Sequence, residues 1–216
     1  MQDPGSPADV IVELCQLFYR LGWATGTGGG ISVREGDLVY MAPSGVQKEK
    51  VQAGDIYALD LEGQVVAGPS APGLKPSECA PLFLNAFKLR GAGAVLHSHG
   101  MFAMLASLGD GEHFECTQLE MVKGIEGHGY YDRLQVPIID NTAHECDLAA
   151  SMADAMLANP RSHAVLVRRH GVYIWGRDWK QAKTQAECYH YLFEASVRMR
   201  ALGFDAAEAV ARGNQA

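Results

Sequence analysis

Two short stretches constrain this chain more than any others. In Ala94-Val95-Leu96-His97-Ser98-His99-Gly100 an apolar run delivers two histidines one residue apart. A strand has a side-chain period of two, so a strand here places His97 and His99 on one face. Ala164-Val165-Leu166-Val167-Arg168-Arg169-His170-Gly171 repeats the form, a strand-like run that ends in His-Gly. Each histidine taken alone reads equally well as a strand-end residue. The H-x-H pair together with the matching His-Gly points instead to a metal site, because three neutral imidazoles with one open position is an arrangement that holds catalytic zinc.

The bulk properties narrow the classes of function. A length of 216 residues suits one domain, and 48% hydrophobic with 20% charged residues is ordinary for a globular chain with a real core. The formal net charge of -7 argues against nonspecific nucleic-acid binding, which needs a basic field, and leaves room for a small phosphorylated substrate. The five cysteines, Cys15, Cys79, Cys116, Cys146 and Cys188, are odd in number and scattered, with no C-x-x-C. That pattern indicates a reducing compartment. No apolar run has the length of a membrane span, and Met1 to Asp9 lacks a signal pattern, so the expectation is a cytoplasmic enzyme that engages no membrane.

Along the chain, Ser6-Pro7 opens a helix carrying Val10, Leu14, Leu17, Phe18 and Leu21, with Gly22 at its end. The stretch Thr25 to Gly30 is glycine-rich. It serves either as a cradle for phosphate, through exposed backbone N–H groups, or as a flexible turn; no GK[ST] follows and no helix opens after it. Leu38 to Met41 reads as a strand, Ala42 to Gly45 as a turn, and Ile56 to Asp60 with Gln64 to Ala67 as a hairpin about Glu62-Gly63. Gly68 to Pro76 is a loop, and Ser77 caps the next helix, which runs to Gly91. Met101 to Leu108 is predicted helical. Thr117 to Lys123 forms a short helix with Glu120 and Lys123 on one face. Val136 to Ile139 is a short strand whose Pro137 marks an edge or a strand start, and Asp147 to Leu157 is a helix. The His170 strand continues through Val172 to Trp175. Trp179 to Leu202 is a final helix with Ala182, Ala186, Tyr189, Leu192 and Phe193 buried, and Ala206 to Ala216 is a frayed tail. No repeat or linker divides the chain. The expectation is one α/β domain of three layers over residues 1–216, with a core near 7–203 and a flexible tail over 204–216.

Zinc chemistry on a carbonyl substrate also needs a carboxylate base. The candidates near the motifs are Glu78, Glu115, Glu120 and Glu126. Glu120 lies in an apolar context, Leu119-Glu120-Met121-Val122, where burial would raise its pKa to a useful value. Any one of the four could equally be a solvated surface charge.

At this point the residues carry a resemblance. The chain resembles the class II aldolase family, zinc-dependent proteins acting on phosphorylated sugars. The matching segments are Gly28-Gly29-Gly30-Ile31-Ser32, Pro43-Ser44-Gly45, Pro76-Ser77-Glu78, His97-Ser98-His99 and His170-Gly171. More narrowly it is similar to the eukaryotic-type dehydratase branch, which removes water from 5-methylthioribulose 1-phosphate in methionine salvage. That match rests on residues 77–83, 90–95, 120–125, 136–139 and Val167 to Gly176, and covers nearly the whole chain. The resemblance implies a three-layer α/β/α fold with a central, mostly antiparallel sheet flanked by helices. It implies one zinc ion per subunit on His97, His99 and His170, with Glu120 as acid/base. Cys79 and Lys123 would contact the substrate, with Gly29, Gly30, Ser44, Gly45 and Ser77 around its phosphate. It also implies a homotetramer with sites near subunit interfaces.

Glu78 complicates this reading, since in sugar-phosphate aldolases the matching glutamate is the base. Here it could be a second acid/base, a fourth ligand or a bystander. The alternatives that stay open are an aldolase or epimerase on the same scaffold, and an interaction protein of the kind some relatives provide in cell-death signalling.

Overall fold

Residues 5–69, 72–109 and 111–210 are described by a computed structural model. Helix α1 (Pro7–Arg20) starts where the sequence places it. Ser6 accepts from the Asp9 N–H and the Asp9 carboxylate accepts from the Ser6 N–H, so two otherwise unpaired donors are satisfied. Strands β1 (Gly30–Glu35), β2 (Leu38–Met41), β3 (Tyr57–Leu59) and β4 (Val65–Ala67) follow as an antiparallel meander. After helix α2 (Ala80–Arg90) come β5 (Ala94–Ser98), α3 (Met101–Ala106), β6 (His113–Thr117) and β7 (Arg133–Ile139). Helix α4 (Ala149–Ala158), β8 (Ala164–Val167), β9 (Gly171–Gly176) and α5 (Trp179–Ala201) complete the order.

The nine strands form one sheet in the order β4-β3-β2-β1-β5-β9-β8-β7-β6. Every neighbouring pair is antiparallel except β7 with β8. Alternation along the central strands sorts two cores. Ala94, Leu96, Leu166, Val172 and Ile174 face one side, with α1, α3 and α5. Val95, Val165, Tyr173 and Trp175 face the other, with α2 and α4. The three-layer, mostly antiparallel fold is therefore as expected.

Four details differ from the sequence reading. His170 is not on a strand. It closes the tight turn between β8 and β9, with Arg169 in the left-handed region at φ +57°. The Arg168 guanidinium braces that turn by donating to the Ser107, Gly109 and Gly111 carbonyls and to Asp140. Ser77 does not cap α2; the N-cap is Cys79, whose N–H donates to Ser77 Oγ. Pro137 is not on an edge. It sits where β7 changes partners, from β6 at residues 133–137 to β8 at Ile138 and Ile139. A missing N–H costs nothing at such a switch. The tail does not fray from 204. Ala206 is buried and its carbonyl accepts from Thr117 N, the Ala207 carbonyl accepts from Arg133, and Val210 N donates to Gln118. Residues 211–216 lie outside those described.

Candidate metal centre and substrate cavity

β5 carries His97 to the end of the sheet on the α2 and α4 side. The ring is fully buried and stacks on Tyr173 of the neighbouring strand, with centroids 3.9 Å apart. His99 follows one residue past the strand and is fixed by its N–H to the Trp23 carbonyl. The β8–β9 turn brings in His170. His99 Nε2 lies 2.9 Å from His97 Nε2 and 2.9 Å from His170 Nε2. Two glycines permit this approach. A Cβ on Gly28 would overlap the His99 ring, and one on Gly171 would overlap the Ser98 carbonyl where β9 meets β5.

Glu145 joins them from the first position of a 3-10 turn, Glu145–Leu148. Its Oε1 is 3.7 Å from His97 Nε2 and 3.6 Å from His170 Nε2, and its Oε2 accepts from Cys79 Sγ at 2.8 Å. The ligand atoms of His97, His99, Glu145 and His170 all lie within 4.8 Å of one another.

The donor chemistry fits a metal ion. His97 Nδ1 bonds to the Val172 carbonyl and His170 Nδ1 to Asn141 Oδ1. Each Nδ1 thus carries the proton, and each Nε2 turns a lone pair inward. Burial first, then the neighbouring His97 and His170, holds the His99 pKa down at about 3. Burial and His97 hold His170 at about 4. Burial alone would raise the Glu145 carboxyl, but the nearby His97, then the Cys79 thiol and His170, outweigh it and bring it to about 2. Neutral rings at His99 and His170 and an ionised Glu145 are states that suit a divalent cation. Tetrahedral zinc with bonds near 2.0–2.1 Å separates its ligand atoms by about 3.3 Å. The four observed separations bracket that value.

Beside the cluster opens a cavity of about 270 Å³ lined by Thr27, Gly28, Gly29, Ser44, Gly45, Lys48, Ser77, Glu78, Cys79, His99 and Glu145. Of the residues expected around a phosphate, Gly29, Ser44, Gly45 and Ser77 are there. Gly30 is not; it packs in β1, where a Cβ would meet the Phe83 ring. Cys79 is buried. Burial first, then the Glu145 carboxylate, pushes its thiol well above the usual range. The Tyr173 hydroxyl lies close to Cys79 and Glu145 without a hydrogen bond of good geometry to either.

Glu120 and Lys123 stand elsewhere. They form an ion pair on a 3-10 turn, Glu120–Gly124, packed on α5, with side chains 67% and 52% exposed, and neither lines the cavity. The burial expected for Glu120 is therefore absent in the single chain. Glu115 pairs with Arg133 and Gln135, and Glu126 with Arg177, so both are engaged away from the cavity. Glu145, Lys48 and Tyr173 were missed by sequence reasoning. The first two come from short turns without periodicity, and Tyr173 lies within the Val167 to Gly176 stretch with nothing in its spacing to mark it as a site residue.

Comparison with known proteins agrees with this geometry. Residues 9–197 match the model of the Class II Aldolase and Adducin N-terminal domain. A Gallus gallus protein called methylthioribulose-1-phosphate dehydratase is 53% identical over 212 residues, covering 94% of this chain and 88% of its own. The Homo sapiens protein of that name is 52% identical over the same shares. Among solved structures, an L-fuculose 1-phosphate aldolase superposes with a TM-score of 0.77 at 20% identity, covering 100% of this chain and 95% of its own. With the sheet, the histidine cluster and the match all coinciding over most of its length, the chain belongs to the class II aldolase and adducin N-terminal domain family.

Proposed function

We propose that this protein is a hydro-lyase that removes water from 5-methylthioribulose 1-phosphate, giving 5-methylthio-2,3-dioxopentyl phosphate, with zinc held by His97, His99 and His170. The observation that carries this reading is identity above half, over 94% of the chain, to relatives named for that reaction. The converging imidazoles and the adjoining cavity supply the means. Zinc, where bound there, provides a Lewis-acid charge that loosens the proton next to a carbonyl. Glu145, whose carboxylate oxygen lies in the same cluster, would be the fourth donor to such an ion.

Glu120 takes the C3 proton. The electron pair of that C–H bond becomes the C3–C4 double bond, the C4–O bond breaks with its pair on oxygen, and that oxygen leaves as water with the proton that Glu120 returns to it. The enol that remains gives up its C3 hydroxyl proton, gains one at C4, and becomes the 2,3-diketone. A single carboxyl group serves both positions only if both lie within hydrogen-bond reach. Since Glu120 is exposed and outside its own chain's cavity, it acts with Lys123 in the cavity of a neighbouring copy, within a homotetramer. The buried Cys79 contacts the substrate as a thiol, not as a nucleophile. The reaction belongs to methionine salvage in the cytoplasm. No helix among the described residues is long and apolar enough to cross a membrane.

One observation favours a second reading. The Glu78 carboxylate lines the cavity, where a base for retro-aldol cleavage would stand. Zinc-loaded protein given methylthioribulose 1-phosphate, followed by proton and phosphorus NMR, separates the two. A diketone phosphate with no smaller fragments supports dehydration. Dihydroxyacetone phosphate with a methylthio aldehyde refutes it in favour of cleavage. Glu120→Gln is expected to keep zinc and lose nearly all turnover; near-normal rates would remove Glu120 from the mechanism.

A further inference from the structure

Lys48 has an unusual position for a lysine. It lies in a 3-10 turn, Lys48–Lys50, and is only 2% exposed. Its Nζ donates to the Thr27 carbonyl at 3.1 Å and the Val46 carbonyl at 3.3 Å. An ammonium has three protons, so one is left over. Among the described residues the lysine ion pairs are those of Lys123 and Lys183; Lys48 has none. A buried charge is normally paired, because removing it from water is costly.

The carboxylates that could pair with it are otherwise placed. Glu145 acts on Lys48 only at a distance and is committed to His97, His170 and the Cys79 thiol. Glu78 lines the same cavity but is exposed and makes no ion pair with Lys48. The free proton of Lys48 belongs instead to a cavity whose other walls are glycine backbone and serine hydroxyls: Gly28, Gly29, Ser44, Gly45 and Ser77. That lining suits a phosphate monoester, which carries nearly two negative charges and several strong acceptor oxygens. Without Lys48 the lining brings hydroxyl and amide donors but no cation. Lys123, the lysine that the sequence suggests, is tied to Glu120 on the outside of its own chain.

We propose that Lys48 is the phosphate-recognising cation of this cavity, so that a sugar phosphate is preferred over the corresponding free sugar. The inference rests on the substrate being phosphorylated, as in the reading above, and not on the dehydration itself.

The test uses zinc-loaded full-length protein and inorganic phosphate as the probe, with affinity read by calorimetry. Lys48→Met is expected to weaken phosphate binding by about 10- to 100-fold, the range for losing a charge-assisted contact. It should lower kcat/KM for methylthioribulose 1-phosphate by a similar factor and that for methylthioribulose far less. Lys48→Arg should recover part of the loss. A folded, zinc-bearing Lys48→Met that binds phosphate within about two-fold of wild type overturns the proposal. So does an equal loss on the phosphorylated and free sugars, which would make Lys48 a brace between the Thr27 and Val46 loops. If the methionine variant does not fold, the Lys48 Nζ resonance of lysine-labelled wild type, assigned by its absence from Lys48→Arg, decides. It moves on adding phosphate if the proposal holds, and an unmoved resonance overturns it. Phosphate binding through Lys48 in a protein that does not dehydrate methylthioribulose 1-phosphate would leave this inference standing and sink the reaction assignment. Turnover with Lys48-independent phosphate binding would do the reverse.

Discussion

His190 sets a pH limit on the fold that can be measured apart from catalysis. It lies on the inner side of α5, 6% exposed, with its ring stacked on Trp23 at 3.8 Å between centroids and 11° between planes. Its Nε2 has no hydrogen-bond partner. Burial lowers its pKa from 6.5 to about 3. Above pH 6.5 both folded and unfolded chains carry the neutral ring, and the group contributes no pH dependence. Between 6.5 and 3 only the unfolded chain takes up the proton, so stability falls as pH falls. At pH 5, roughly 1.5 pH units below the unfolded value, the loss from this one group is about 2 kcal/mol. His190→Leu removes the titration, and whatever packing it costs is the same at both pH values. His99, His128, His163 and His170 also have lowered pKa values, but they are present in both proteins and cancel. Urea unfolding followed by far-UV circular dichroism at pH 7.5 and 5.0 gives the comparison. Wild type should lose about 2 kcal/mol more than His190→Leu on acidification. Parallel losses would show that the ring accepts a proton in the folded state, and the argument from burial would fail.

Three further outcomes follow from the site. Glu145→Gln keeps the shape of the side chain but removes its charge; zinc affinity, measured by chelator competition, should drop about 10-fold or more, and an unchanged affinity would exclude Glu145 from the ligand set. Gly171→Ala forces a Cβ into the Ser98 carbonyl between β9 and β5, so it should destabilise by about 3 kcal/mol or more in urea unfolding and reduce zinc content with it; wild-type stability would mean that the strands can part freely. Iodoacetamide at pH 8 should label the exposed Cys146 and spare Cys79, whose thiol is buried and held protonated by burial and Glu145; peptide mapping that finds Cys79 modified first would refute that placement.

The parts of this molecule that repeat with a period were legible in its sequence. The α5 stripe Ala182, Ala186, Tyr189, Leu192 and Phe193 is buried as its spacing requires. His97 and His99 converge because a strand puts alternate side chains on one face. Strand β6 was not legible: His113-Phe114-Glu115-Cys116-Thr117 alternates, but Glu115 is satisfied only by Arg133 and Gln135 of β7, a contact that periodicity does not report. The docked residues 206–210 fail for the same reason. Their anchors on Thr117, Gln118 and Arg133 lie far away in the chain.

The same division explains the site. The sheet order places β9 beside β5, with His97 opposite Tyr173 and Ser98 opposite Val172, so the two His-Gly stretches end at one point. Those stretches mark the cluster because β5 carries His97, His99 follows directly after it, and the tight β8–β9 turn presents His170. Glu145 and Lys48 line the cavity together with Glu78, yet each of the two stands in a short 3-10 turn whose sequence, His144-Glu145-Cys146-Asp147 or Gln47-Lys48-Glu49-Lys50, reads as solvated surface. What buries them is the packing of neighbouring elements. Leu148, next to Glu145, enters the core under α2 and α4, and the Lys48 turn packs against α1. A rigid sheet with variable turns at its end thus separates two tasks. The end of the sheet gathers the histidine cluster, and the turns bring charged side chains to the cavity beside it. Substitutions at Glu145 and Lys48 are therefore expected to alter metal and phosphate affinity without disturbing β5, β8 and β9.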